Sequence, residues 1–424
     1  MPTSACCPIS PPKESSVPHR RPTPARKGRE WLSLGIAGVV LSSPCAWADE
    51  FDLFGPLSLK FSETVTRDNN VHRLPEGASS GPNAPREDTM YDDSAGFSLD
   101  KTYGLQSLHL GATFGNRHYE HNTAQNSQTR NGDFAWRWTL TPDLTGSLTA
   151  ARNESQNSFE QYGATGGSIN RTDTTAASVD FGGSAPIHLI GTASHVDSSN
   201  SVAITQTGNT KALAGEIGVK YLSAAGNSIA YLLRGQRIDW QGQQLDPVNL
   251  LDTHAEQTDH EVQLHWLPTG KSSVDVVVTR LDKRYEHFHQ RDYSGTGGSF
   301  SVGWQPSAQV QVALTGQRSY ASWFNSFSSY SLTDNVSLRP SWQFSPKASM
   351  HMSFGRSSVE YLGPVVPQTL PLRHDHTPTA ELGVDWTPLR NLALSATWHR
   401  EHRDSNQIFG YSDNTGSVTA RLQF

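Results

Sequence analysis

Paired histidines recur at three places in the chain: His287 and His289 in "YEHFHQRD", His374 and His376 in "RHDHTP", and His399 and His402 in "WHREHRD". Alternate histidines on an extended segment share a face, from which two imidazoles can hold a transition metal. The polar, turn-rich text around these pairs places them in or near loops, where histidines are ordinarily solvated. The expectation is therefore no metal and no cofactor. No serine is tied by the sequence to a histidine and an acid, so catalytic residues are expected to be absent and the protein is not read as an enzyme.

Charged residues on the polar side of alternating segments are a second chemical population. They are Lys60, Arg117, Asp133, Arg137, Asp180, Glu216, Lys220, Arg234, Glu261, Asp275, Arg339, Glu381, Asp385 and Arg421, set among many Ser, Thr and Gln. Both signs occur, as expected of groups that solvate or cross-brace a wet interior rather than form a filter of one sign. Aromatics that can stack on sugar faces, or form an interfacial girdle, are Trp240, Tyr285, Tyr293, Tyr320, Trp323 and Tyr330.

The elements that must carry these groups repeat along the chain. "NGDFAWRWTL" sets Phe134, Trp136, Trp138 and Leu140 on one face, turns at "TPDL", and continues as "TGSLTAARN". "HEVQLHWLPTGKSSVDVVVTR" and "SFSVGWQPSAQVQVALTG" follow the same plan, with Val262, Leu264 and Trp266 and with Phe300, Val302 and Trp304. Short turns fall near Gly104, Pro142, Gly183, Ala225, Thr269, Pro306, Pro346 and Pro388, with longer polar stretches between them. Counting one segment on each side of each turn, plus the first and last, gives about eighteen strands of about ten residues.

A β-propeller shares the period of roughly forty residues, but a blade has four short strands buried on both faces. Here one face is apolar and the other polar, which is the pattern of a transmembrane antiparallel up-and-down outer-membrane β-barrel. Trp138, Trp266, Trp304, Trp342 and Trp386 each precede a short turn, as a membrane-interface girdle requires. The fold class predicted is all-β.

The termini fit that reading. Basic Arg20, Arg21, Arg26, Lys27 and Arg29 precede the apolar run "WLSLGIAGVVL" and the small-x-small site Ala46-Trp47-Ala48, the three parts of a secretory signal peptide. The run is too short to span a membrane as a helix. Pro44 before Cys45 does not suit lipidation at that thiol. The domains expected are a signal peptide at 1–48 and a barrel at 49–424. Cys6, Cys7 and Cys45 would leave with the leader, together with six basic and two acidic residues, taking a formal charge of −6 to −10. A cysteine-free acidic chain has no thiolate site and no bulk attraction for nucleic acid. At the other end Val418, Ala420, Leu422 and Phe424 alternate with Ser417, Thr419, Arg421 and Gln423 up to the final residue. That segment resembles the terminal signal read by the bacterial barrel-assembly machinery.

"LSLKFSETVTRDNNVHRLPEG" is the most distinctive text, with Arg67, Asp68, Asn69, Asn70, Arg73, Leu74 and Pro75 at its centre. It resembles the start of the EpsL-type outer-membrane proteins of exopolysaccharide biosynthesis, barrels found with exosortase-linked polysaccharide loci. The residues alone also fit a cap on the barrel mouth made by Asx-type turns. The resemblance implies a passive conduit for a secreted polysaccharide in the outer membrane of a Gram-negative bacterium. Its partners would be outer-membrane lipid, the assembly machinery, the exopolysaccharide, and periplasmic or inner-membrane export proteins. The alternatives are a plugged barrel that anchors polysaccharide at the surface, a general porin, or a barrel hydrolase.

Overall fold

The computed structural model describes residues 57–78, 85–157, 167–202, 208–323, 328–364 and 371–424. The leader, with its cleavage site, lies outside the described residues.

The described residues form eighteen strands: β1 (Leu57–Asp68), β2 (Asp88–Tyr103), β3 (Gln106–Tyr119), β4 (Ser127–Thr141), β5 (Leu144–Gln156), β6 (Ile169–Phe181), β7 (Ile187–Asn200), β8 (Thr210–Leu222), β9 (Ser228–Trp240), β10 (His254–Thr269), β11 (Ser272–Tyr285), β12 (Tyr293–Trp304), β13 (Val310–Ser322), β14 (Tyr330–Ser345), β15 (Ala348–Leu362), β16 (His374–Leu389), β17 (Leu392–Ser405) and β18 (Tyr411–Gln423). Every strand pairs antiparallel with its sequence neighbours, and β18 pairs with β1, so the sheet closes without an edge. Closure matters physically because an open strand would leave a row of main-chain N–H and C=O groups unpaired.

The eight expected turns sit between β2 and β3, β4 and β5, and so on to β16 and β17, all at one end of the barrel. Both ends of the described chain lie at this end as well. Alternation decides what each face shows. Phe61, Phe97, Leu110, Phe300, Leu338 and Phe354 stand on the outer face with more than a third of their surface exposed. Ser, Thr, Gly and charged residues take the inner face and line its cavities. Trp266, Trp304, Trp342 and Trp386 are about half exposed on the outside, in a belt beside the short turns.

The strands run 12 to 16 residues, longer than expected. The apolar outward pattern covers only about nine residues nearest the short turns, the length that crosses a bilayer on a tilted strand. Beyond it the ladder continues with charged outward pairs, among them Arg152–Asp173 at 2.7 Å and Arg318–Asp334 at 2.6 Å. Segments that look like polar loops in sequence, such as Ser127–Arg130 and Asp197–Asn200, are therefore strand.

Candidate functional site: the lumen wall and its mouth

The fourteen charged candidates all fall on the inward face by ladder register. Arg117 Nε lies 2.6 Å from Asp92 Oδ1 on the neighbouring strand. Arg234 stands opposite Glu216 on β8 and Asp259 on β10, while Glu261 accepts from Thr279 Oγ1 at 2.9 Å. Arg339 and Glu381, with His351 and His399, line a lumenal cavity of about 1170 Å³. Lys60 and Arg421 face inward at the short-turn end of β1 and β18, and Arg137 faces inward on β4 opposite Ser107.

Four histidines absent from the candidate set join this wall. His109 Nδ1 is 2.6 Å from Asp100 Oδ1 and its Nε2 is 2.7 Å from Asp133 Oδ2. His188 Nδ1 is 2.6 Å from Asp180, whose other oxygen takes Lys220 Nζ at 2.5 Å. His265 meets Asp275 at 2.6 Å and His351 meets Asp385 at 3.0 Å. Their parity on the polar face was the available signal, but each is a lone histidine in the sequence and no local pair marks it. Of the paired histidines, only His287 and His289 lie between strands. His399 faces inward toward Glu381 (3.6 Å) and Glu401 (3.7 Å). His374, His376 and His402 are outward strand residues. Among the described residues no group of three His, Cys, Asp or Glu is placed to hold a metal ion.

The six aromatics make ring contacts with one another or with Tyr361 at the long-loop end. Trp240 stacks on Tyr285 at 5.6 Å and Tyr293 on Tyr330 at 4.6 Å, with Tyr320 at 6.0 Å from Tyr330. Ile238, Ala255 and Leu281 complete this cluster, the larger of two at the long-loop end. Lys283 stands over the Trp240, Tyr285 and Tyr293 rings at 5.5 to 6.0 Å and donates to Ser322 Oγ at 2.8 Å. Trp323 meets the edge of Tyr361 at 4.9 Å. Trp240, Tyr285 and Tyr293 are buried against other rings, which leaves them no face for a sugar, whereas Tyr320, Trp323 and Tyr330 are only partly buried, and Tyr320 and Tyr330 share the outward register of Arg318 and Asp334.

The distinctive first-loop text is a lock at the β1–β18 seam. Asp68 Oδ1 accepts the Asn70 N–H at 2.7 Å, the Asx-type turn that the residues suggested. Asn70 donates through Nδ2 to the carbonyls of Leu74 and Ser412, both at 2.9 Å, and accepts from the Leu74 N–H. Arg73, at φ +53°, bonds Asp68 at 2.8 Å and Asp413 at 3.2 Å, so one guanidinium ties the first strand to the last. Asn69 exchanges main-chain and side-chain bonds with Asn414. Pro75 contributes its carbonyl to Arg86 at 3.1 Å, and Arg67 reaches Glu87 at 3.4 Å on the exposed side. Val71 packs on Met90 and Tyr119 as the second buried cluster.

A short Tyr-Glu-His repeat organises two of the long loops. Tyr119 and Tyr285 are the inward-facing last residues of β3 and β11, and each Tyr-Glu-His leads into a single 3-10 turn, Thr123–Gln125 and His289–Arg291. In both, the tyrosine N–H donates to a side chain seven residues on, Asn126 at 2.8 Å and Asp292 at 2.7 Å. In both, a buried aspartate gathers the loop's donors. Asp88 accepts from the His121 and Asn122 N–H groups, and Asp252 from those of His287 (2.6 Å) and Phe288 (3.1 Å). Burial works against ionisation of Asp252, but these donors, with the His287 ring, hold its carboxyl below the usual range. The last residue of the second 3-10 turn, Arg291, is fully buried. It donates to the carbonyls of Leu250 (2.7 Å), Asn249 (2.8 Å), Trp323 and Ser328 (both 3.2 Å), pinning two neighbouring loops.

The class defined by this geometry is a closed eighteen-stranded antiparallel barrel with a polar, charge-laced lumen. No family model matches the chain, and no curated protein matches it. Similar solved structures include OpdK of Pseudomonas aeruginosa crystallised with vanillate (TM-score 0.49, 11% identity, 87% of this chain and 99% of that one). OccK9 (OpdG) of the same species has TM-score 0.48, 9% identity, and coverage of 87% and 98%. A BenF-like porin from Pseudomonas fluorescens Pf-5 has TM-score 0.49, 10% identity, and coverage of 87% and 98%.

Proposed function

We propose that the chain is an outer-membrane barrel serving as a passive conduit for hydrated, polar solutes, and that it has no catalytic role. The observation that carries this reading is the inverted distribution of side chains. Phe, Leu, Val and Trp face outward in a belt of about one bilayer thickness, and Ser, Thr and charges of both signs face the lumen. An apolar exterior of this extent needs lipid around it. The short-turn end, with both ends of the described chain and the tryptophan belt, is the periplasmic end in this reading, and the longer loops face outside. Export and signal cleavage near Ala48 deliver the chain to the assembly machinery, which reads Val418, Ala420, Leu422 and Phe424.

Within this reading, the solute class implied by the EpsL-type resemblance is a secreted polysaccharide, handed over by periplasmic or inner-membrane export proteins. A wall of hydroxyls, amides and paired charges can exchange hydrogen bonds with a sliding sugar chain without holding it. Single-channel conductance of the refolded barrel in a planar bilayer, with and without the host's exopolysaccharide, tests both levels. A large conductance supports the conduit, and its block by the polymer supports the polysaccharide. Conductance untouched by polymer leaves a general porin, whereas a closed barrel overturns the conduit and favours a plugged anchor.

A further inference from the structure

We infer that the lumenal histidine–carboxylate pairs near the short turns set the ion selectivity of the conduit and shift it toward anions as the pH falls. This rests on the conduit reading. His109, His188, His265 and His351 each stand within about five residues of a short turn, on β3, β7, β10 and β15, so the pairs recur around the circumference at one level. Each imidazole touches a carboxylate at 2.6 to 3.0 Å.

His109 faces Asp100 on β2 and Asp133 on β4, with Arg137 of β4 one inward position away. His188 faces Asp180 on β6 and stands opposite Lys220 on β8. His265 is opposite Asp275 on β11 and the neutral Ser228 on β9. His351 meets Asp385 on β16 and lies near Arg339 of β14, whose strand presents Ser341 to it. Lys60 and Arg421 complete the level at the seam. With neutral imidazoles, the carboxylates and the fixed cations nearly balance. Protonation adds one positive charge per pair to that balance; on β16 the further acid beside His351 is Glu381, the other inward neighbour of Gly383, which already faces His399 at 3.6 Å. A histidine side chain makes this change between pH 5 and 8. A ring of charge in a lumen acts on every ion that passes, so the sign of the level decides which ions enter.

The test is the reversal potential under a potassium chloride gradient across a planar bilayer, at pH 8 and pH 5. The expected result is a cation-to-anion permeability ratio that falls about threefold or more on acidification. The H109Q/H188Q/H265Q/H351Q variant should pass current with a ratio that no longer depends on pH. If that variant does not refold, H265Q/H351Q, which alters only the two more exposed imidazoles, should remove about half of the shift. Current without a pH-dependent ratio in the wild type overturns the inference and leaves the conduit standing, as does a full shift retained in the variants. Absence of current at both pH values overturns the conduit itself.

Discussion

At the scale of single residues, the long-loop end is held by a few buried groups that each satisfy several donors. Asp252 is the clearest, because one carboxylate accepts main-chain N–H groups from its own loop and from the Tyr-Glu-His turn. D252N keeps the shape but replaces a charged acceptor with an amide and should cost about 1–3 kcal/mol of local stability. Limited proteolysis at neutral pH reads this as faster cleavage within residues 241–253. The pH dependence has a defined sign. The folded carboxyl lies below its unfolded value, so its contribution is complete above about pH 4 and is lost as the pH falls through the folded value. The wild-type loop should stay protected at pH 5 and yield to an acid protease only below about pH 4. Arg73 plays the opposite part, one guanidinium donating to Asp68 and the Asn70 carbonyl and pairing with Asp413. Its removal leaves the nearly inaccessible Asp68 and Asp413 carboxyls facing each other; burial and Asp68 already push Asp413 up to about 7, so without the cation the pair keeps a proton, and R73A should lower barrel stability by about 3 kcal/mol. Urea unfolding in lipid vesicles measures it, and R73N, which tolerates the left-handed backbone but lacks the cation, should lose nearly as much.

At the scale of elements, the closing pair extends one residue beyond β18. Phe424 and Leu59 exchange both main-chain bonds at 2.9 Å, so Phe424 is a rung of the seam. Deleting Phe424 removes two bonds worth about 0.5–1.5 kcal/mol each, whereas F424A keeps them and removes only the ring. Assembly into outer-membrane vesicles separates the two roles. Equal loss in both variants means that the side chain is read by the assembly machinery, and loss in the deletion alone means that the ladder is what counts. The same contrast marks what was legible in the sequence. Strand number, turn positions and the inward face followed from period-2 alternation and turn residues, because lipid on one side and water on the other enforce that pattern strictly. Strand length was not legible. Beyond the lipid the outward face carries Arg152, Asp173, Arg318 and Asp334, and a ladder with polar residues on both faces reads as loop. The lumenal imidazoles were not legible for a related reason: His188 reaches Asp180 diagonally across the β6–β7 turn, one inward position from Ile190, the register partner of Asp180, and no local motif marks the pair.

At the scale of the whole molecule, inner and outer faces obey opposite rules one residue apart, and the proposal of a membrane channel stands on that opposition. Ser337 faces the lumen and shares a 2.8 Å hydroxyl bond with Thr315, while Leu338 faces out between Leu314 and Phe354. Arginine at 338 must desolvate its charge in hydrocarbon or drag water into it, at a cost of about 2–4 kcal/mol near the midplane. Arginine at 337 meets water and nearby polar groups, so its stability change should stay within about 0.5 kcal/mol while its bulk and charge narrow the bore. Unfolding in vesicles and conductance in planar bilayers, measured on L338R and S337R together, give a crossed result if the outer face sits in lipid and the lumen conducts. L338R then loses stability and keeps the wild-type conductance per folded barrel, and S337R keeps stability and loses conductance. Equal tolerance of both arginines would mean that the outer face is not in hydrocarbon, and the membrane assignment would fall with it.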